Sequence, residues 1–93
     1  MAKLTGNIRI TTKPASANVK GHFEIAFVPY SGRVNAQLVR VSSHEDLVQF
    51  LMGIRLSEDD ATLWAGRARS EGVLLIPGIE RTEDQLRASG LLA

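Results

Sequence analysis

Gly72-Val73-Leu74-Leu75-Ile76-Pro77-Gly78 decides the fold. Four apolar residues held between a glycine and a Pro-Gly pair are too few for a helix. They suit a strand buried on both faces. The stretch follows two segments of helical period, so the sheet has to take a strand from beyond the helices. That order makes the domain α+β.

Upstream, Ser57-Glu58-Asp59-Asp60 reads as a helix start, a capping hydroxyl followed by acids at the positive end of the helix dipole. Ala61, Trp64, Ala65 and Ala68 then form one stripe, with Trp64 expected as the bulky core anchor and Gly72 as the stop. The helix before it begins at Ser43-His44-Glu45-Asp46 and places Leu47, Phe50, Leu51 and Ile54 on one face, with Gly53 expected to unwind its end. Downstream, Thr82-x-x-Gln85 is a capping box opening a short last helix. Gly90 closes that helix and places Leu91 against Leu86 in a Schellman motif.

The first half has the period of strands. Asn7 to Thr11 alternates with Ile8 and Ile10 on one face, and Lys13 to Asn18 is a loop. His22 to Val28 alternates again, turning Phe23, Ile25 and Phe27 one way and His22, Glu24, Ala26 and Val28 the other. Pro29-Tyr30-Ser31-Gly32 signals a turn, and Arg33 to Val41 returns as a third strand. Its early face is Val34, Ala36 and Leu38, whereas Val39 and Val41 stand in opposite phase. A bulge or burial on both faces reconciles them. The expected architecture is one α+β domain over residues 1–93. It consists of a three-stranded antiparallel β-meander followed by helix–helix–strand–helix, with the helices packed on a four-stranded sheet.

One inconsistency carries information. The first two strands are polar on one face, yet the strand at 73–76 is apolar on both. Either the C-terminal helix and Leu91-Leu92 wrap onto the far side, or a second chain covers it.

The chain's 93 residues have a formal net charge of +1, and that total hides a split. Through residue 42, Lys3, Arg9, Lys13, Lys20, Arg33 and Arg40 face Glu24 alone, a net of +5; beyond it five arginines face nine acids, a net of −4. Helix capping explains most of the acids, but no structural cause explains the base.

Composition excludes several classes. No apolar run approaches the ~18 residues of a membrane span, so no membrane partner is expected. The N-terminal residues lack a secretory pattern, and the chain has no cysteine. A cytoplasmic location follows as the expectation, without disulfides or thiolate chemistry. His22 and His44 are too few for a metal cluster, and no phosphate loop, dinucleotide fingerprint or nucleophile elbow occurs. No catalytic, cofactor-binding or metal-ligating set is therefore assigned. His22 with Glu24 on one strand face is the nearest approach to an acid–base pair.

Two binding readings remain. Apolar residues out of phase with the core, namely Val48, Met52 and Leu63 on the helices and Leu91 and Leu92 at the end, suggest a protein interface, with another protein or a second copy as partner. The polar face of the sheet, with Arg9, Lys13, Lys20, His22, Arg33, Asn35 and Gln37, is the alternative, a surface for nucleic acid. It lacks aromatic residues for base stacking apart from Tyr30 in the turn. The leading expectation is a small non-catalytic interaction module that self-associates.

Overall fold

The computed structural model describes residues 3–93. Its elements are β1 (Lys3–Lys13), β2 (His22–Pro29), β3 (Val39–Val41), α1 (His44–Gly53), α2 (Glu58–Glu71), β4 (Val73–Thr82) and α3 (Glu83–Ala88). All neighbouring strands are antiparallel, in the order β3-β2-β1-β4. The strand from beyond the helices therefore lies at the sheet edge, next to β1.

The helix starts form as their local chemistry dictates. Ser43 Oγ accepts from Asp46 N and Ser57 Oγ from Asp60 N, each satisfying an N–H with no intrahelical partner. At α3 the capping box is complete, with Thr82 and Gln85 each accepting from the other's backbone N–H. The same helix ends in a full Schellman motif: Leu91 N donates to Leu86 O, Gly90 N donates to Arg87 O, and Gly90 stands at φ 86°.

The end of α1 differs from expectation. Gly53 remains helical, and Arg55 takes the left-handed position at φ 72°. Its N–H donates to Met52 O, and that of Leu56 donates to Leu51 O, the same motif without a glycine. The crowding of a Cβ in this conformation makes Arg55→Gly an expected gain of about 0.5–1 kcal/mol, readable by urea unfolding. A loss would mean that the arginine side chain contributes more than its backbone strain costs.

Two strands depart from their sequence reading. The third is Val39–Val41 rather than Arg33–Val41. Its register sets Val39 opposite Ile25, so extending it would bring Asn35 to Pro29, which has no N–H for the ladder. The segment turns away instead: Ala36 bridges Leu92, Gln37 N donates to Leu91 O, and Ala93 N donates to Asn35 O. The meander is present in order, but its third strand is short and a long loop replaces the expected tight turn. The fourth strand continues through Pro77-Gly78 to Thr82. Between the pairs Gly6↔Ile79 and Ile8↔Ile76, β4 carries one more residue than β1. Gly78, at φ 70°, absorbs the resulting bulge.

The core lies on one side of the sheet. Ile8, Ile10, Ile25 and Phe27 meet Leu47, Leu51, Ala61, Ala65, Ala68, Leu74, Ile76, Leu86, Leu91 and Leu92 in a single cluster. Trp64 is partly buried at its margin rather than being its anchor, and the Arg67 guanidinium stacks 4.9 Å from its ring centroid. The alanines of α2 let that helix approach β1 closely, where Thr12 Oγ1 donates to Ala68 O and Thr12 N donates to Gly72 O.

Candidate functional site

The structure resolves the inconsistency in the fourth strand. Leu86, Leu91 and Leu92 belong to the helix-side core, so neither α3 nor the C-terminal leucines reach the far face. That face is uncovered.

Strand alternation and register define what it shows. One row runs Arg40, Glu24, Thr11, Val73 across the four strands, and the next pairs Ala26, Arg9 and Leu75. Val73 is 57% exposed and Leu75 50%. Val28 is exposed on this face of β2, and Leu38, just before β3 and in the alternation phase of Arg40, is exposed as well. Tyr30 spans the bulged end, its N–H donating to Thr5 O and its hydroxyl accepting from Gly78 N. Ala26 is buried. Beside it, Asn7 Oδ1 is buried without a hydrogen-bond partner.

The charges on this face are largely matched. Lys3 pairs with Glu80 at 3.6 Å, and Glu24 Oε2 lies 3.1 Å from His22 Nε2 and 3.6 Å from Arg40 Nε. The hydrogen bond from His22 holds the Glu24 carboxyl below its ordinary pKa; desolvation opposes this, and Lys13 and Arg40 add to it. Both ring nitrogens of His22 face acceptors, Glu24 and the Lys20 carbonyl at 3.0 Å. The imidazolium form donates to both and the neutral ring to one. The pair foreseen on this strand is therefore real as geometry, and it is tied into an ion-pair network. Arg9 has no carboxylate within ion-pair distance among the described residues.

The edge of β4 adds a second property. Thr12 N donates to Gly72 O, and antiparallel alternation then turns Leu74 and Ile76 inward to β1 and leaves the backbone groups of Val73 and Leu75 pointing outward. No backbone bond outside the ladder engages either residue. Pro77, the next outward position, lacks an N–H, as a proline at a sheet edge can. The same two residues thus present bare apolar side chains and unpaired backbone, without a charged side chain until Glu80.

The sequence-based site residues are dispersed. Of the five proposed interface positions, Leu91 and Leu92 are buried in the core, and Val48 and Met52 are partly buried against it. Only Leu63, 59% exposed, stands clear on α2. They form no common patch, because the helices use their wide apolar arcs on the sheet and on each other. The proposed nucleic-acid strip is divided. Arg9, Lys13 and His22 lie on the open face, and Lys20 lies in the loop before β2. Arg33 and Asn35 line a 180 Å³ cleft with Glu83 and Arg87, and Gln37 is bonded to the C-terminal segment. The third strand leaves the sheet before it can align these residues with Arg9.

Val28 and Leu38 entered the sequence reading only as strand positions, and Tyr30 only as a turn residue and stacking candidate, not as parts of one apolar surface. The two-faced apolarity of Val73–Ile76 was the signal that pointed to this surface. Among the described residues no group of three or more potential ligands is close enough to hold a metal ion, and no helix is long and apolar enough to cross a membrane. Comparison with protein-family models, with curated proteins and with solved structures found no match.

Proposed function

We propose that this protein is a non-catalytic interaction module that self-associates through the β4 edge and the open sheet face beside it. The observation that carries the reading is the coincidence at Val73 and Leu75 of exposed apolar side chains with unpaired edge backbone. Sheet edges of this kind usually carry a charge, a bulge or a cover. Here the bulge and Pro77 blunt only the far half of β4, leaving its first four residues open.

A second copy fits this edge on symmetry grounds. Antiparallel pairing about a two-fold axis requires opposed residues to point to the same face. Setting Val73 opposite Leu75 of the other copy meets that condition and satisfies the outward backbone groups of both. The exposed apolar side chains then adjoin across the axis, while Leu74 and Ile76 keep their places in the two cores. The absence of cysteine suits a reducing compartment, and we place the protein in the cytoplasm on that basis.

Light scattering coupled to size-exclusion chromatography tests the proposal. The wild-type chain is expected at twice its monomer mass and Leu75→Lys at the monomer mass, with the circular dichroism spectrum unchanged, because position 75 lies outside the core. A monomeric wild type at high protein concentration, or a Leu75→Lys variant that remains dimeric, would overturn it. Mass that depends on added nucleic acid would also count against it and for the basic residues of the open face.

A further inference from the structure

A second site, separate from the β4 edge, lies at the end of the sheet where β1 finishes, β2 begins and α1 starts. There a shallow cleft of 350 Å³ is lined by Thr12, Lys13, His22, Ser42, His44 and Arg69, among others. Its lining is cationic, although Glu24, bonded to His22, stands near enough to feel Lys13. Lys13 and Arg69 have no carboxylate within ion-pair distance among the described residues, and no acidic side chain lines the cleft.

His44, the first residue of α1, adds a ring nitrogen, Nδ1, that is buried and has no hydrogen-bond partner. Leaving such an atom unsatisfied is costly, and it asks for a partner. Ser42 and His44, on either side of the α1 cap, both line the cleft, which places the start of that helix at its edge. Ser43 Oγ takes the backbone N–H of Asp46, and those of His44 and Glu45 have no intrahelical acceptor. The nearby acids are otherwise placed: Glu24 binds His22 and Arg40, Glu71 binds Arg67, and Glu45 and Asp46 are exposed on the first turn of α1.

We propose that this cleft binds a phosphate monoester, with Lys13 and Arg69 flanking the anion and His44 and the first turn of α1 donating to its oxygens. A doubly charged group with several acceptor oxygens matches cations arriving from separate elements better than a single carboxylate does. The volume admits the phosphoryl group and part of the molecule that carries it. The site also accounts for some of the excess base in the first half of the chain.

Titration with inorganic phosphate tests this, followed by ¹H–¹⁵N NMR at constant ionic strength maintained with sodium chloride. Saturable shifts are expected at the amides of His44 and Glu45, with little change at Leu75 on the β4 edge. Lys13→Ala combined with Arg69→Ala should weaken the binding about tenfold or more. Both positions are exposed, so the fold should survive. Arg9→Ala, on the open face, should leave the affinity unchanged and serves as the control. Shifts that fail to saturate, an undiminished affinity in the double variant, or equal displacement by a phosphodiester oligonucleotide would each overturn the proposal. None of these results bears on the oligomeric mass, so this proposal and the edge pairing stand or fall separately.

Discussion

Gly6→Ala is expected to destabilise the fold by about 3 kcal/mol or more, a large fraction of the stability of a domain this size. A Cβ at Gly6 would lie 2.2 Å from Val28 O, 2.8 Å from Pro29 Cα and 2.9 Å from Val28 C. All three are backbone atoms, so no side-chain rotation relieves the clash. The two strands would have to separate where β1 also meets the β4 bulge. Alanine narrows the unfolded ensemble and returns up to about 1 kcal/mol, too little to reverse the sign. Urea unfolding and thermal melting should both show the loss, with a fall in Tm of well over 10 °C on the order-of-magnitude scale for small domains. An unchanged Tm would mean that the β1–β2 approach at Gly6 is looser than described.

Leu91→Ala is expected to cost about 2–5 kcal/mol, the range for removing a buried leucine side chain. Leu91 is fully buried, and its N–H closes the Schellman motif of α3 while its carbonyl accepts from Gln37 N. Alanine keeps both backbone bonds, so the loss measures the side chain alone. Leu63→Ala, on the exposed side of α2, should stay within about 0.5 kcal/mol as a control. The contrast separates two roles that look alike in the sequence, since both leucines stood as interface candidates. A cost for Leu91→Ala as small as that for Leu63→Ala would put Leu91 back on the surface.

What could be read ahead of the structure was whatever a few neighbouring residues determine. Ser43, Ser57 and the Thr82/Gln85 box act within one turn, and each starts its helix where the spacing placed it. Gly72 and Gly90 end theirs for the same local reason. Arg55 shows the limit: the expected glycine, Gly53, lies two residues before the position that turns left-handed. The left-handed turn at Arg55 lets Leu56 N bond back to Leu51 O and brings the Leu56 side chain against the core.

Features that depend on distant partners were not legible. The third strand is short because of where its register would meet Pro29, and because residues 91–93 compete for the backbone of 35–37. Pro77-Gly78 reads as a strand end, yet β1 carries β4 past it by way of a bulge. The candidate surface was half legible. Apolarity on both faces of Val73–Ile76 announced an uncovered or twice-covered strand, but only strand order could show that it forms an edge.

Amide hydrogen exchange at Val73 and Leu75, followed across a dilution series, tests the edge pairing most directly. Their N–H groups point away from β1, so a lone chain leaves them to solvent, whereas a paired edge protects them. The account predicts slow exchange at high protein concentration and fast exchange on dilution, while Leu74 and Ile76, bonded to β1, stay protected throughout. Fast exchange at Val73 and Leu75 at every concentration would contradict it.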